Sequence, residues 1–135
     1  MRTPTDNLHV SIRGGGPIGP VVCVAHADGA VRGYVGGPQL ELPPKPNGKL
    51  DVGGAVGRGS LTVVQDVPWG EPYTSQIELF SGEIGDDIAA YYVSSEQVPT
   101  SVGVGVLVDT DLSVKQAGGF IVQLMPDCPE DVIAQ

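Results

Sequence analysis

Few stretches of this chain carry residue types and spacings with chemical potential. Gly14-Gly15-Gly16-Pro17-Ile18-Gly19 fits GxGxxG and follows the alternating run Leu8–Arg13, which reads as a strand. A dinucleotide site built on that pattern needs a helix next, so that the helix N-terminus can hold a pyrophosphate. Pro20 and a valine-rich run follow instead, so the required context is absent. Gly54 to Ser60 has the outline of a phosphate loop, with four residues between Gly54 and Gly59 and then a hydroxyl. The lysine that should stand between Gly59 and Ser60 is missing and Arg58 is misplaced, so this stretch reads as a flexible turn.

The titratable candidates are equally thin. His9 and His26 fall on neighbouring predicted strands, but two histidines without a nearby Cys, or a carboxylate at helical spacing, make a poor metal site. Ser94, Ser95 and Glu96 offer hydroxyls and a carboxylate at a helix end, without a nucleophile elbow, and read as a cap or solvated end. Asp86 and Asp87 fit a helix dipole, and adjacent helical residues do not face each other. Cys23 sits in the apolar run Val21–Ala27 and reads as a buried small hydrophobe. Cys128 precedes Pro129 at a helix start, but Asp127, Glu130 and Asp131 oppose thiolate formation there. The residues therefore imply no catalytic, cofactor-binding or metal-ligating set. No stoichiometric zinc is expected, because the two cysteines are far apart and a structural zinc site wants four ligands, usually in close pairs.

The elements around these residues are mostly strands. The exception is Phe80–Val108, which begins with the one long helix. Ser81 is a candidate N-cap, and Ile84, Ile88, Tyr91 and Tyr92 form one apolar face. Pro99 ends the helix and a strand follows, with Val102, Val104, Val106 and Val108 on one side. Gly103 and Gly105 leave the other side bare, open to another backbone or to the helix itself. Before this stretch, strands are predicted at Leu8–Arg13, Val21–Ala27, Val31–Val35, Leu61–Val67 and Thr74–Phe80. Asp28-Gly29 marks a hairpin turn, and Leu50–Val56 is either a helical turn or a short strand. After it, Asp109–Ser113 is a hairpin loop and Val114–Met125 the returning strand. Gly118 and Gly119 mark a bulge or close approach, and a helix starts at Pro129. The sum is α+β, mainly antiparallel β-sheets packed on one main helix, in a single domain over 1–135.

Composition narrows the function. With 135 residues, 20 glycines, 12 prolines and a hydrophobic fraction of 41%, the chain suits a turn-rich globular domain. A net charge of −9 repels phosphate backbones and anionic lipids, so neither nucleic acid nor membrane is expected as a partner. No apolar run approaches the ~20 residues that span a bilayer. The N-terminus lacks the apolar segment of a signal peptide, and a cytoplasmic location is expected.

Four segments carry a resemblance. They are GGGPIGPVVCVAHADGAVRGYV at 14–35, KPNGKLDVGGAVGRGSLTVVQD at 45–66, EPYTSQIELFSGEIGDDIAAYYVSSEQVPTSVGVGVLVD at 71–109 and AGGFIVQLMP at 117–126. Together they resemble the core domain of the bacterial 33 kDa heat shock protein family, the redox-regulated holdase chaperones. The resemblance implies β-sheets packed around helices, a tendency to dimerise, and ATP-independent holding of unfolded client proteins. In that family a separate zinc module with CxC and CxxC cysteines regulates activity. None of those four cysteines is present here, and Cys23 and Cys128 do not take their place. Relative to the family the chain reads as a core truncated at both ends. The rival readings are a small nucleotide-binding or hydrolytic enzyme, motivated by Gly14–Gly19 and the histidines, and a dimerisation module without client activity.

Overall fold

A computed structural model describes residues 6–133. The chain divides into two compact units, residues 1–84 and 85–135.

The first unit is a five-stranded antiparallel sheet. Its strands are β1 (Asn7–Gly14), β2 (Val21–His26), β3 (Val31–Val35), β4 (Gly59–Asp66) and β5 (Tyr73–Glu78), in the order β3-β2-β1-β4-β5. A short helix, α1 (Val52–Val56), precedes β4. Hairpin chemistry sets the β2–β3 connection: Gly29 adopts a left-handed φ of 91° and the Asp28 side chain accepts from Ala30 N–H at 2.9 Å. Ile12 lies opposite Leu61 and Val10 opposite Val63, so the four share one face. Ile12, Leu61 and Val63 are buried there, and Ala55 and Val56 of α1 are buried with them. Ile12, Val56, Leu61 and Val63 each contribute about 1.5–3 kcal/mol on burial, and the Ala55 methyl roughly 0.8 kcal/mol. The ambiguity at Leu50–Val56 resolves as helix. Asp51 caps it, accepting from Gly54 N–H at 3.0 Å, which offsets the weak helix propensity of Gly53 and Gly54.

Two expectations fail in this unit. Cys23 is exposed, not buried. Its partner across the β2–β3 pair is Gly33, which has no side chain to shield the sulfur; a Cβ there would lie 3.1 Å from Cys23 Sγ. Ser81 does not cap the long helix. It accepts from Glu83 N–H at 3.0 Å in a turn that ends before the helix begins at Ile84.

The second unit contains α2 (Ile84–Ser95), the hairpin strands β6 (Thr100–Val108) and β7 (Val114–Gln123), and a short α3 (Glu130–Ile133). On α2, Tyr91 is buried and Ile84, Ile88 and Tyr92 are half-buried, close to the expected apolar face. The Tyr91 and Tyr92 rings meet edge to face at 5.4 Å. The helix stops four residues before Pro99. Gln97 turns left-handed with φ 55°, and Val98 N–H donates back to Tyr92 O at 3.1 Å. Asp87 departs from a purely dipolar role, since it is fully buried while Asp86 is exposed.

The hairpin closes on Asp109–Ser113. Asp111 accepts from Ser113 through both its N–H (2.9 Å) and its hydroxyl (2.6 Å), and Asp109 N–H donates to Ser113 O. The irregularity falls between Leu107 and Val108; Gly118 and Gly119 stay in register. Gly119 is instead a close approach, because a Cβ there would come within 2.7 Å of Gly103 O. The bare face at Gly103 is not where the helix sits. A Cβ at Gly103 would run into the Phe120 ring, whereas Gly85 of α2 lies beside Val104 and Val102, on the valine face.

Candidate functional site

The two glycine-rich stretches answer to each other. Gly15 N–H donates to Arg58 O (2.8 Å), Gly16 N–H to Val56 O (2.9 Å) and Ile18 N–H to Ala55 O (3.1 Å). A Cβ at Gly14 or Gly16 would overlap the carbonyl of Val56, so only glycine lets these backbones meet. N–H groups that would cradle a phosphate are thus donating within the fold.

The histidines point to separate partners. His9 Nε2 stands 3.4 Å from Asp66 Oδ2, and His26 Nδ1 is 2.6 Å from Asn7 Oδ1. Among the described residues no group of three or more His, Cys, Asp or Glu side chains could hold a metal ion. The zinc that the resemblance implies for the family therefore has no fitting donor set in these residues. Glu96 accepts from the Tyr91 hydroxyl at 3.1 Å and leaves Ser94 and Ser95 as helix-end residues. Burial, and then the nearby Glu96 carboxylate, push the Tyr92 hydroxyl above its ordinary pKa. Cys128 is half-buried, and its N–H closes a turn onto Met125 O at 3.2 Å.

A cleft of about 840 Å³ opens in the first unit between the start of β4 and the Leu79–Gly82 turn. Arg58, Glu78 and Phe80 line it. Beside it Lys45 reaches Glu83 and lies 3.9 Å from Asp51. The hydrogen bond to Glu83, with the charges of Glu83 and Asp51, holds the Lys45 ammonium above its ordinary pKa despite some desolvation. The cluster ties the proline-rich loop to the cap of α1 and to the turn before α2. It offers no nucleophile with an adjacent base.

What remains is apolar surface, and it is concentrated on the hairpin. Cross-strand partners share a face, so Val102, Val104, Val106, Ala117 and Ile121 form one side, and Leu107, Phe120 and Val122 the other. Val104 is 60% exposed, Ile121 52% and Phe120 62%; every residue of β7 is exposed. Patches this contiguous mark interaction sites. The alternation of valines identified one apolar side from the sequence. The second is not legible there, because Gly103 and Gly105 leave it bare on β6; Phe120, paired opposite Gly103, fills it from the other strand. Trp69, 91% exposed between β4 and β5, was also missed, although its Pro68 and Gly70 flanks signal a loop tip.

Comparison with known proteins gives a consistent picture. A family model described as Hsp33 protein matches residues 1–135. The chain is 49% identical over 131 residues to the 33 kDa chaperonin of Clostridium tetani, covering 96% of this chain and 45% of that protein. It is 47% identical over 135 residues to the 33 kDa chaperonin of Clostridium acetobutylicum, covering 99% and 45%. The crystal structure of the 33 kDa chaperonin from Thermotoga maritima superposes with a TM-score of 0.85 at 47% identity, over 90% of this chain and 41% of that one. The chain thus spans less than half the length of these relatives.

Proposed function

The chain belongs to the Hsp33 protein family, and from that premise we propose that it is the client-holding core of an ATP-independent holdase chaperone. The observation that carries this reading is the β6–β7 hairpin, which exposes apolar side chains on both faces. A holdase needs apolar area and free strand edges, and the hairpin offers both within one element. Placed acids and bases are what an enzyme would need, and His9, His26 and Glu96 are engaged in contacts within the fold, which favours a non-enzymatic module. Residues 1–135 act in this reading as one chaperone core.

The partners proposed are unfolded proteins and, for the chain alone, a second copy in a homodimer. Uncovered apolar area favours association by about 25 cal/mol per Å² before ordering costs are subtracted, and symmetric dimers are the commonest closed solution. We place the protein in the cytoplasm, in keeping with two free thiols. No helix among the described residues is long and apolar enough to cross a membrane. The regulatory zinc of the family is held by cysteines that these residues do not include, and no step is routed through it.

The test is light scattering from a thermally unfolding client. Suppression of aggregation at stoichiometric amounts of the chain, without nucleotide, is expected. No suppression, or suppression that requires nucleotide, would contradict the reading.

A further inference from the structure

Charge divides unevenly along the chain. Residues 85–135 hold eight Asp and Glu against one Lys, and so carry −7 of the total −9; residues 1–84 hold eight acids against six Lys and Arg. Four of the eight acids of the second unit flank the hairpin strands in sequence; Asp86 and Asp87 belong to α2 and Glu130 and Asp131 to α3. From Thr100 to Val108 and from Gln116 to Gln123 there is no charged residue. Asp109 and Asp111 occupy the turn, where the single base, Lys115, lies 3.5 Å from Asp109. At the open end, marked by the Thr100–Gln123 pair, Glu96 precedes Thr100 by four residues and Asp127 follows Gln123 by four. The result is an uncharged, largely apolar stretch about 30 Å long, the span of nine extended residues, flanked in sequence by carboxylates on both sides.

Resting on the chaperone reading, we propose that this surface selects among unfolded clients, preferring extended apolar segments flanked on both sides by Lys or Arg. Apolar side chains of the client meet the valine and phenylalanine faces, and the flanking cations reach the carboxylates at the turn and at the open end. An acidic flank meets like charge at both ends. A second copy of the chain brings the same acids with it, so charge also ranks a basic client above self-association. Screening over about 8 Å at physiological salt leaves contact-range attraction in place and removes the longer-range part.

Three dye-labelled peptides test this. They share one apolar core of about eight residues and carry two Lys, two Gln or two Glu at each end. Each is titrated with the full 135-residue chain, and fluorescence anisotropy is read. At about 20 mM salt the Lys-flanked peptide should bind roughly tenfold more tightly than the Glu-flanked one, and at about 0.5 M salt the two should converge to within about twofold. Asp109→Asn with Asp111→Asn keeps a side-chain oxygen to accept in the turn while removing the charge. It should cut the Lys preference about threefold and leave the Gln-flanked peptide unchanged. Val106→Ser with Val122→Ser, one exposed position on each face, should weaken all three peptides alike. Equal affinities at low salt, a preference undiminished by the Asp→Asn pair, or binding indifferent to the Ser pair would each overturn the proposal. A chain that suppresses client aggregation without any flank preference sinks this inference alone; one that holds neither client nor peptide sinks the chaperone reading with it.

Discussion

The five-stranded sheet and the β6–β7 hairpin are both antiparallel and rich in valine, yet the sheet buries apolar residues on its central strands and the hairpin buries none of its own. In the sheet, the central strands β1 and β4 each have two neighbours, and Ala55 and Val56 of α1 are buried as Ile12, Leu61 and Val63 are. In the hairpin each strand has one neighbour, and α2 reaches the valine face beside Gly85. A two-stranded element cannot bury two faces by itself. The same side chains that stabilise one region therefore become contact surface in the other.

The largest expected effect that separates them is Leu61→Ala. It should destabilise the sheet by about 2–5 kcal/mol, read as a lower urea midpoint, because Leu61 is fully buried and its cavity collapses poorly. Val106→Ser with Leu107→Ser, one on each hairpin face, should move the same midpoint by only about 0.5 kcal/mol, within the usual range for surface changes. It should nevertheless lower client suppression severalfold. If the hairpin pair unfolded the chain as Leu61→Ala does, the hairpin would be core and the comparison would fail.

Smaller effects come from the charged ties. Lys45 has a pKa raised above 10.5 by its hydrogen bond to Glu83. Its contribution is therefore fully present below that unfolded value and lost as pH rises through the folded one. The stability gap between the wild-type chain and Lys45→Gln should be constant near neutral pH and close in alkali, as urea titrations across that range would read. Asp111 runs the other way. The Ser113 hydroxyl, and then the Ser113 N–H, lower its pKa below 3.8, so its contribution is present above that unfolded value and disappears as pH falls through the folded one. Asp111→Asn should change stability little at neutral pH, and the difference from wild type should vanish in strong acid.

Much of the architecture was legible in the sequence because its signals are local. The alternation at Leu8–Arg13, the Asp28-Gly29 turn and the Asp109–Ser113 loop each specify a strand or hairpin within a few residues. Pairing-dependent features were not legible. Cys23 is exposed because Gly33 lies beside it, a matter of register. The glycine stretches at Gly14 and Gly54 mimic ligand loops until their mutual hydrogen bonds are seen. The end of α2 was set by a left-handed Gln97, which residue type does not announce, ahead of the more visible Pro99. The apolar surface was half legible: the valines showed one face, and Phe120 over Gly103 required the strand pairing.

The most direct measurement of the central claim is amide hydrogen exchange on the chain with and without an unfolded client. The account predicts that client binding slows exchange in Thr100–Val108 and Val114–Gln123, while the central strands β1 and β4 exchange as before. Protection confined to the cleft between Arg58 and Gly82, with the hairpin unaffected while the client is held, would contradict it.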